Sequence, residues 1–485
     1  MTSPSRSVSD ATYARRWRVL GLLSAVQFML ALDDSIVNVA LPRIQGDLGF
    51  STTGLAWVVN AYVVVFGGCL LLGGRLADLV GRRRMFVAGV ALFAAASLSN
   101  GVAQAPGQLL ASRAVQGLGA ALAAPAALSL VAVMFTDRDE RARAFATISS
   151  LGGAGAGAGA VVGGVVTDLV DWRWIFFINL PVAVAAVVLT LRLVRVHERA
   201  DLSGLDLPGA VAVTGAAALL VYTLLNVDDR GWLSPATLGG FAGALALGAA
   251  FVAIEARAPQ PLVPLTFFRD RRRRNAGVGL HYVIAAVVFG VFFLVTLYMQ
   301  RVLGYSPLRG GLAWLAFFAG LFSGFGSAQW LVVRFGVRFV LVAGLLVAAV
   351  GGLAFTQIPV DGEYIRDLVP GMVVAGLGLG WSYPAVTVAV VYDVQDHEAG
   401  LVAGMLNTGQ QIGGALGLAV LVALASDRAE SLIGRGPAGA QVAGAHLAFA
   451  VAAGLCVVAA ALAFALIGRL RPETVPQVPM PDVAS

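Results

Sequence analysis

Three ionisable residues lie where charge is costly. Asp33 and Asp34 fall in Ala31–Pro42 (ALDDSIVNVALP), and Arg113 falls in Leu109–Ser129 (LLASRAVQGLGAALAAPAALS). Both runs are apolar enough to lie in a bilayer, where a charge costs about 2.5–3.5 kcal/mol at a helix centre. The chemistry that suits such groups is reversible proton binding. A guanidinium beside a carboxylate favours the ionised form, and moving it away lets a proton bind. The alternatives are a purely structural ion pair for the aspartates and snorkelling to the interface for Arg113. Successive helical residues point about 100° apart, so the two aspartates face different ways. Asp34 shares a stripe with Gln27 and Asn38, whereas Asp33 shares one with Val26, Leu30 and Val37. This geometry favours Asp34 as the residue facing a wet cavity. Arg113, Gln116 and Gly117 share a face on their own helix.

The elements that must position these groups are membrane spans. The 485 residues are 58% hydrophobic and 12% charged, with mean hydropathy +0.83, whereas soluble domains are about 25% charged. The chain reads as an all-α polytopic membrane protein with fourteen spans. The even count puts both termini on one side. All 33 basic residues are arginine, and most fall on that side, which makes it cytoplasmic. The net charge of +6 is therefore topology and not a nucleic-acid surface. The loop Tyr392–Gly400 is an exception, with Asp393, Asp396 and Glu398 and no arginine.

The expected division is a cytoplasmic tail over 1–17, a six-helix bundle over 18–195, a linker with two additional spans over 196–275, a second six-helix bundle over 276–468 and a cytoplasmic tail over 469–485. The run Arg271–Arg274 reads as a positive-inside anchor. Cys69 and Cys456 read as packing residues, with no disulfide and no metal. His197, His281, His397 and His446 are scattered. There is no P-loop, HExxH or GxSxG pattern, so the chain reads as neither an enzyme nor a primary transporter.

The loop LLLGGRLADLVGRRRM, Leu70–Met85, joins two spans. Its Gly74, Asp78, Gly81 and Arg82 resemble the signature loop between helices 2 and 3 of the major facilitator superfamily, which helps gate the cytoplasmic side. Arg334, Gly336 and Arg338 form a degenerate echo between spans 10 and 11, with Val333 where an acid would stand. Ala31–Pro42 resembles the span-1 motif of the fourteen-helix drug:proton antiporters, the EmrB/QacA-type branch. Asp33 falls on the motif acid and Asp34 on a variable position. By resemblance Asp33 is named first as the proton-coupling acid, and the choice between the two stays open. Arg113 and Gln116 match the R-x-x-Q-G-x-G motif of helix 4, whose arginine is thought to sense protonation of the helix-1 acid. Gly155, Gly159, Gly163 and Gly164 match an antiporter glycine motif, with Ala160 at its proline position. Asp171–Pro181 (DWRWIFFINLP) resembles the opening of helix 6, and its Trp172 and Trp174 suit an interfacial belt. Leu406–Gly417 resembles a helix-13 motif.

The resemblance implies the major facilitator fold, two six-helix bundles plus two inserted helices. It implies proton-coupled efflux of hydrophobic or amphipathic small molecules, such as drugs or antibiotics, by alternating access. The alternative is export of one dedicated metabolite or a lipid. No cofactor is expected beyond the proton gradient. The expected partners are the small-molecule substrate, protons and the bilayer of the cell membrane, and the monomer is expected to be the working unit. Cavity candidates are Gln27, Asn60, Tyr62, Gln116, His281, Tyr282, Phe292, Tyr298, Trp381, Tyr383, Asn407 and Gln411.

Overall fold

The computed structural model describes residues 10–135, 137–194, 206–269, 272–392, 394, 399–432, 434 and 436–468. Among the described residues, fourteen helices are long and apolar enough to cross a membrane. They are α1 (Arg16–Leu48), α2 (Gly54–Val80), α3 (Arg82–Gly101), α4 (Pro106–Met134), α5 (Arg143–Leu169), α6 (Trp174–Leu193) and α7 (Leu207–Leu225). They continue with α8 (Pro235–Glu255), α9 (Arg272–Val302), α10 (Pro307–Phe335), α11 (Val337–Gln357), α12 (Tyr364–Val391), α13 (Leu401–Glu430) and α14 (Pro437–Leu466). The chain is a multi-pass membrane protein; with fourteen spans, the start of α1 and the end of α14 fall on one face, the terminal face. The linker stretch 195–205, the acids of the loop after α12 and the terminal tails 1–9 and 469–485 lie outside the described residues, as does Arg271.

Helices α1–α6 form one bundle and α9–α14 a second. Small residues set the closest approaches. Added methyl groups would meet the carbonyl oxygen of Phe28 at 2.5 Å from Gly155, that of Leu32 at 2.6 Å from Gly159 and that of Ile36 at 2.7 Å from Gly163. Three of the four motif glycines therefore knit α5 to α1, a use that compensates for glycine's poor helix propensity.

The signature loop is shorter than the sequence suggested. Helix α2 carries Gly74 and Asp78 within it, and one residue, Gly81 at φ +115°, links it to α3. Gly336, at φ +85°, makes the same one-residue link between α10 and α11. Only glycine adopts such backbone freely, so the two halves repeat one hairpin. The close approach lies one residue before Gly74, where Gly73 faces the carbonyl of Ala121 on α4. Asp78 pairs with Arg82 at 3.2 Å.

The inserted pair packs on one seam. Helix α7 lies against both α2 and α13, with Thr214 against Gly68 and Tyr222 beside Trp57. Helix α8 lies against α7. The pair thus bridges the two halves along the flank where α2 and α13 meet.

The face remote from the termini is closed. Gln300 donates to the carbonyl of Val39 at 2.9 Å, and Arg301 donates to Gln45. Gly164 of α5 meets Pro307 and Leu308, and Gly311 of α10 meets the carbonyl of Ala160. Towards the terminal face the halves diverge between α5 and α10. Below Gly157, which lies beside Phe318 and Phe322, α5 exposes Ala154, Leu151 and Ser150.

Exposure along the helices lining the cleft has the same sense. On α1, Arg18, Gly21 and Ala25 are exposed, Gln27, Ala31 and Asp34 are half-buried, and Ile36–Leu41 is buried. On α9, Gly279 is exposed, Phe289 and Phe292 are half-buried, and Phe293–Met299 is buried. Exposure therefore falls along both helices from the terminal face towards the closed contacts, the sense of a cleft open at the terminal face.

Candidate functional site

Asp33 turns into the first bundle and is fully buried with Arg113. Arg113 Nη1 donates to Asp33 Oδ2 at 2.8 Å. Asp33 Oδ1 accepts from Gln116 Nε2 at 2.9 Å and Asn179 Nδ2 at 2.7 Å. The guanidinium also donates from Nε to the carbonyl of Val58 at 3.0 Å and from Nη1 to Gln116 Oε1 at 2.6 Å. Its face rests over the Tyr62 ring at 4.4 Å. Arg113 Nη2 is buried with no partner.

Around this pair runs a polar network sealed inside the bundle. Asn100 Nδ2 donates to Gln116 Oε1 at 2.7 Å, Gln116 donates to Ser97 at 2.9 Å, and Ser112 donates to Asn100 at 2.5 Å. Four helices supply it: α1, α3, α4 and α6. The i, i+3 spacing of Arg113 and Gln116 lets both reach one carboxylate. Snorkelling is ruled out for Arg113, because no part of it reaches solvent.

Asp34 points elsewhere. Residues 27, 31, 34, 38 and 45 recur along one face of α1. Gln45 on that face, and the backbone carbonyl of Val39 next to Asn38, touch α9 of the other half. Asp34 is half-buried, and its Oδ1 is buried without a hydrogen-bond partner. Gln27 packs on Gly152, and its Oε1 is likewise buried without a partner. The two aspartates thus face different ways: Asp33 points into the bundle interior, and Asp34 lies on the face of α1 that carries Gln27 and Gln45.

Residues 23–418 match the profile of the Major Facilitator Superfamily. The chain belongs to that family. It is 38% identical over 465 residues to the puromycin resistance protein pur8 of Streptomyces alboniger, covering 93% of this chain and 92% of the relative. It is 35% identical over 421 residues to the lincomycin resistance protein of Streptomyces lincolnensis, covering 87% of each. Among solved structures, a crystal structure of the peptide transporter POT superimposes with TM-score 0.66 at 17% identity, covering 94% of each chain. At that identity the likeness is one of fold.

Within this major facilitator frame the remaining candidates separate. Gln116 and Tyr62, expected at the substrate cavity, sit instead in the sealed network, and the Tyr62 hydroxyl has no partner. Asn60 is fully buried with both amide atoms unpaired. Gln411 lies against Gly67 at the α2–α13 seam, its Oε1 unpaired. Asn407 is exposed and donates to the carbonyl of Ala403 in its own helix. Tyr282 packs on Gly409 and Gly413. Trp381 donates to Ser327 at 2.9 Å. His281 is buried with neither ring nitrogen partnered and lies edge-on to Tyr383 at 5.5 Å. Phe292 stacks on Trp314 at 4.0 Å, and Tyr298 donates to the carbonyl of Pro359 at 2.6 Å.

One reading of the helix-6 opening changes, and one residue is added. Trp172 is buried and donates to Asp47 at 3.1 Å, while Trp174 is exposed, so only Trp174 is placed for an interfacial belt. Asn179 of the same stretch is an unanticipated partner of Asp33. An asparagine inside the apolar run FFINLP was the available signal. Asn179→Ala is expected to destabilise the protein by about 1.5 kcal/mol, the value for a hydrogen bond to a charged group and near the top of the range between membrane helices. A lowered melting temperature of the purified protein would register this. An unchanged one would mean Asn179 does not hold Asp33.

Proposed function

We propose that this major facilitator protein exports hydrophobic or amphipathic small molecules from the cell in exchange for protons. The observation that carries this reading is the sealed Asp33–Arg113 pair, in a chain similar over nearly its whole length to antibiotic resistance proteins. The terminal face is cytoplasmic, the protein lies in the cell membrane, and the monomer is the working unit. The cleft open to that face loads substrate. Closure there and opening between α5 and α10 at the other face release it, as rocking of two halves around a central site requires.

Asp33 and Arg113 form the coupling switch. While Asp33 is ionised it holds Arg113, and with it α4, against α1. A proton on Asp33 removes that attraction, and Arg113 and α4 can then shift relative to α1. Loss of the proton to the cytoplasm restores the pair. The protein itself performs no covalent chemistry. The two relatives are each named for resistance to one antibiotic, which favours a narrow cargo, one dedicated metabolite, as the second reading.

Inverted vesicles carrying the native protein and energised to be acid inside test the coupling. Adding the cargo on the outer, formerly cytoplasmic, surface should accelerate collapse of the pH gradient, and Asp33→Asn should abolish that acceleration. Cargo uptake with no proton movement would leave a transporter but remove antiport.

A further inference from the structure

We propose that Asp206 and Glu255 hold one proton between them, and that this proton fastens a strap, residues 256–268, across the seam between the two halves at the terminal face. The inserted pair α7 and α8 thereby gains a task of its own, a proton-binding site apart from Asp33. The fastening stands independently of the efflux reading above, whereas its effect on rocking rests on that reading.

The two acids sit at the same end of the inserted pair. Asp206 caps the start of α7, its Oδ1 accepting from the backbone N–H of Gly209 at 2.8 Å. Glu255 closes α8, its Oε2 accepting from the backbone N–H of Val263 at 3.0 Å. They are 6% and 3% exposed, and their carboxyl groups lie within hydrogen-bonding reach of each other. Each keeps a second oxygen, Asp206 Oδ2 and Glu255 Oε1, that is buried and receives no donor. Buried acceptors without a donor are costly and rare. Two ionised carboxylates side by side also repel. One shared proton answers both, since it removes one charge and supplies the missing donor. Among the described residues, Asp206 is the one charged group acting on Glu255. The arginines that flank the strap turn elsewhere. Arg257 donates to the carbonyl of Ala253 at 3.5 Å, and Arg273 lies over the Tyr392 ring at 4.5 Å.

The strap is what the pair holds. Leu262, Val263 and Phe267 pack in one buried cluster with Ala210 of α7, Leu72 of α2 and Met405 of α13. Helix α2 belongs to the first bundle and α13 to the second, and the two meet close by, where Leu71 touches Gly404. The strap thus binds both halves at once. Its far end is fastened to α9. Arg274 donates to the carbonyl of Phe267 and lies over its ring at 3.5 Å, and Asn275 donates to the carbonyl of Phe268 at 2.6 Å. An arginine and an amide keep their donors at any ordinary pH, so the near end is the one a proton can change. With the proton bound, Glu255 stays seated and holds Val263. With it lost, two buried like charges drive Glu255 from Asp206, Val263 loses its acceptor and the strap lifts. Acid at the terminal face therefore locks the halves along α2 and α13, and alkali frees them.

Asp206→Asn tests this, because its amide supplies the missing donor at every pH while its oxygen still caps α7. Leu262→Cys, as the single thiol in a chain with Cys69→Ser and Cys456→Ala, reads how far the strap lifts. At about pH 8.5, well above the ordinary carboxyl range of about 4, labelling with the native pair should exceed that with Asp206→Asn at least tenfold. At about pH 6 the two should agree. Comparison at equal pH cancels the reagent's own pH dependence. Equal labelling at both values overturns the proposal. Deuterium uptake by residues 262–267 of the native full chain, corrected for the intrinsic exchange rate, needs no variant. Its protection should fall at least tenfold over the same range, and constant protection overturns the proposal. Added magnesium is the remaining arm. Seating that follows magnesium rather than pH assigns the free oxygens to a metal ion and likewise overturns it. These readouts follow the strap itself, so a failed efflux assay leaves the proton site standing and removes only its lock on transport.

Discussion

Arg113→Ala is expected to destabilise the protein by about 3–5 kcal/mol, the usual result of removing one partner of a buried ion pair, and to eliminate proton-coupled efflux. The substitution leaves Asp33 ionised inside the first bundle with only two amide donors, Gln116 and Asn179. It also frees the carbonyl of Val58 and one side of Gln116. Arg113→Lys should not rescue function, because a single ammonium cannot reproduce contacts that the guanidinium makes from Nε and Nη1 in fixed geometry. The double variant Asp33→Asn, Arg113→Gln is the informative comparison. It removes both charges together, so most of the lost stability should return, while proton coupling should not. Melting of the purified protein and gradient collapse in vesicles give the two readouts. If the double variant still moved protons with cargo, the pair would be structural and the coupling site would lie elsewhere.

Gly164→Val is expected to shift the protein strongly towards the state open at the face remote from the termini. In the present structure a methyl group on Gly164 would stand 2.6 Å from the carbonyl oxygen of Pro307 and 2.8 Å from Leu308. This contact joins α5 to α10 across the two halves, so a larger side chain opposes closure without entering either bundle. Gly159 differs. It faces Ser35 and Leu32 of α1 within one half, so Gly159→Val should impair folding in every state. A cysteine placed at Asn38, buried beneath the closed contact, reports the difference. With Gly164→Val its labelling from the remote face should rise at least tenfold, and efflux should fall. Equal labelling in the two proteins would mean that the α5–α10 contact does not control closure.

Much of the architecture was determined by sequence alone. Fourteen apolar runs must become helices, because lipid offers no other partner for backbone N–H and C=O groups. Gly81 and Gly336 mark the two sharp hairpins, since a positive φ there excludes other residues at little cost only for glycine. The burial of Asp33, Asp34 and Arg113 followed from the absence of any nearby polar run.

Helical period placed Asp34 on a different face from Asp33, and the structure keeps that difference. Which of the two meets Arg113 required the tertiary structure. Asp33 meets Asn179, which is 146 positions away in the chain, and no local pattern encodes a contact of that range. Gln116 and Tyr62 were placed in a cavity because polar and aromatic side chains suit ligands, yet helix packing sealed them beneath Arg113. The boundary of α2 moved for a similar reason. Asp78 and Arg75 read as a polar loop, but four-residue spacing lets Asp78 pair with Arg82 and the helix continues to Val80. Local sequence decides which segments cross the membrane. Only the packing of one helix on another decides which of two adjacent carboxylates is sealed with an arginine and which keeps a buried oxygen without a hydrogen-bond partner.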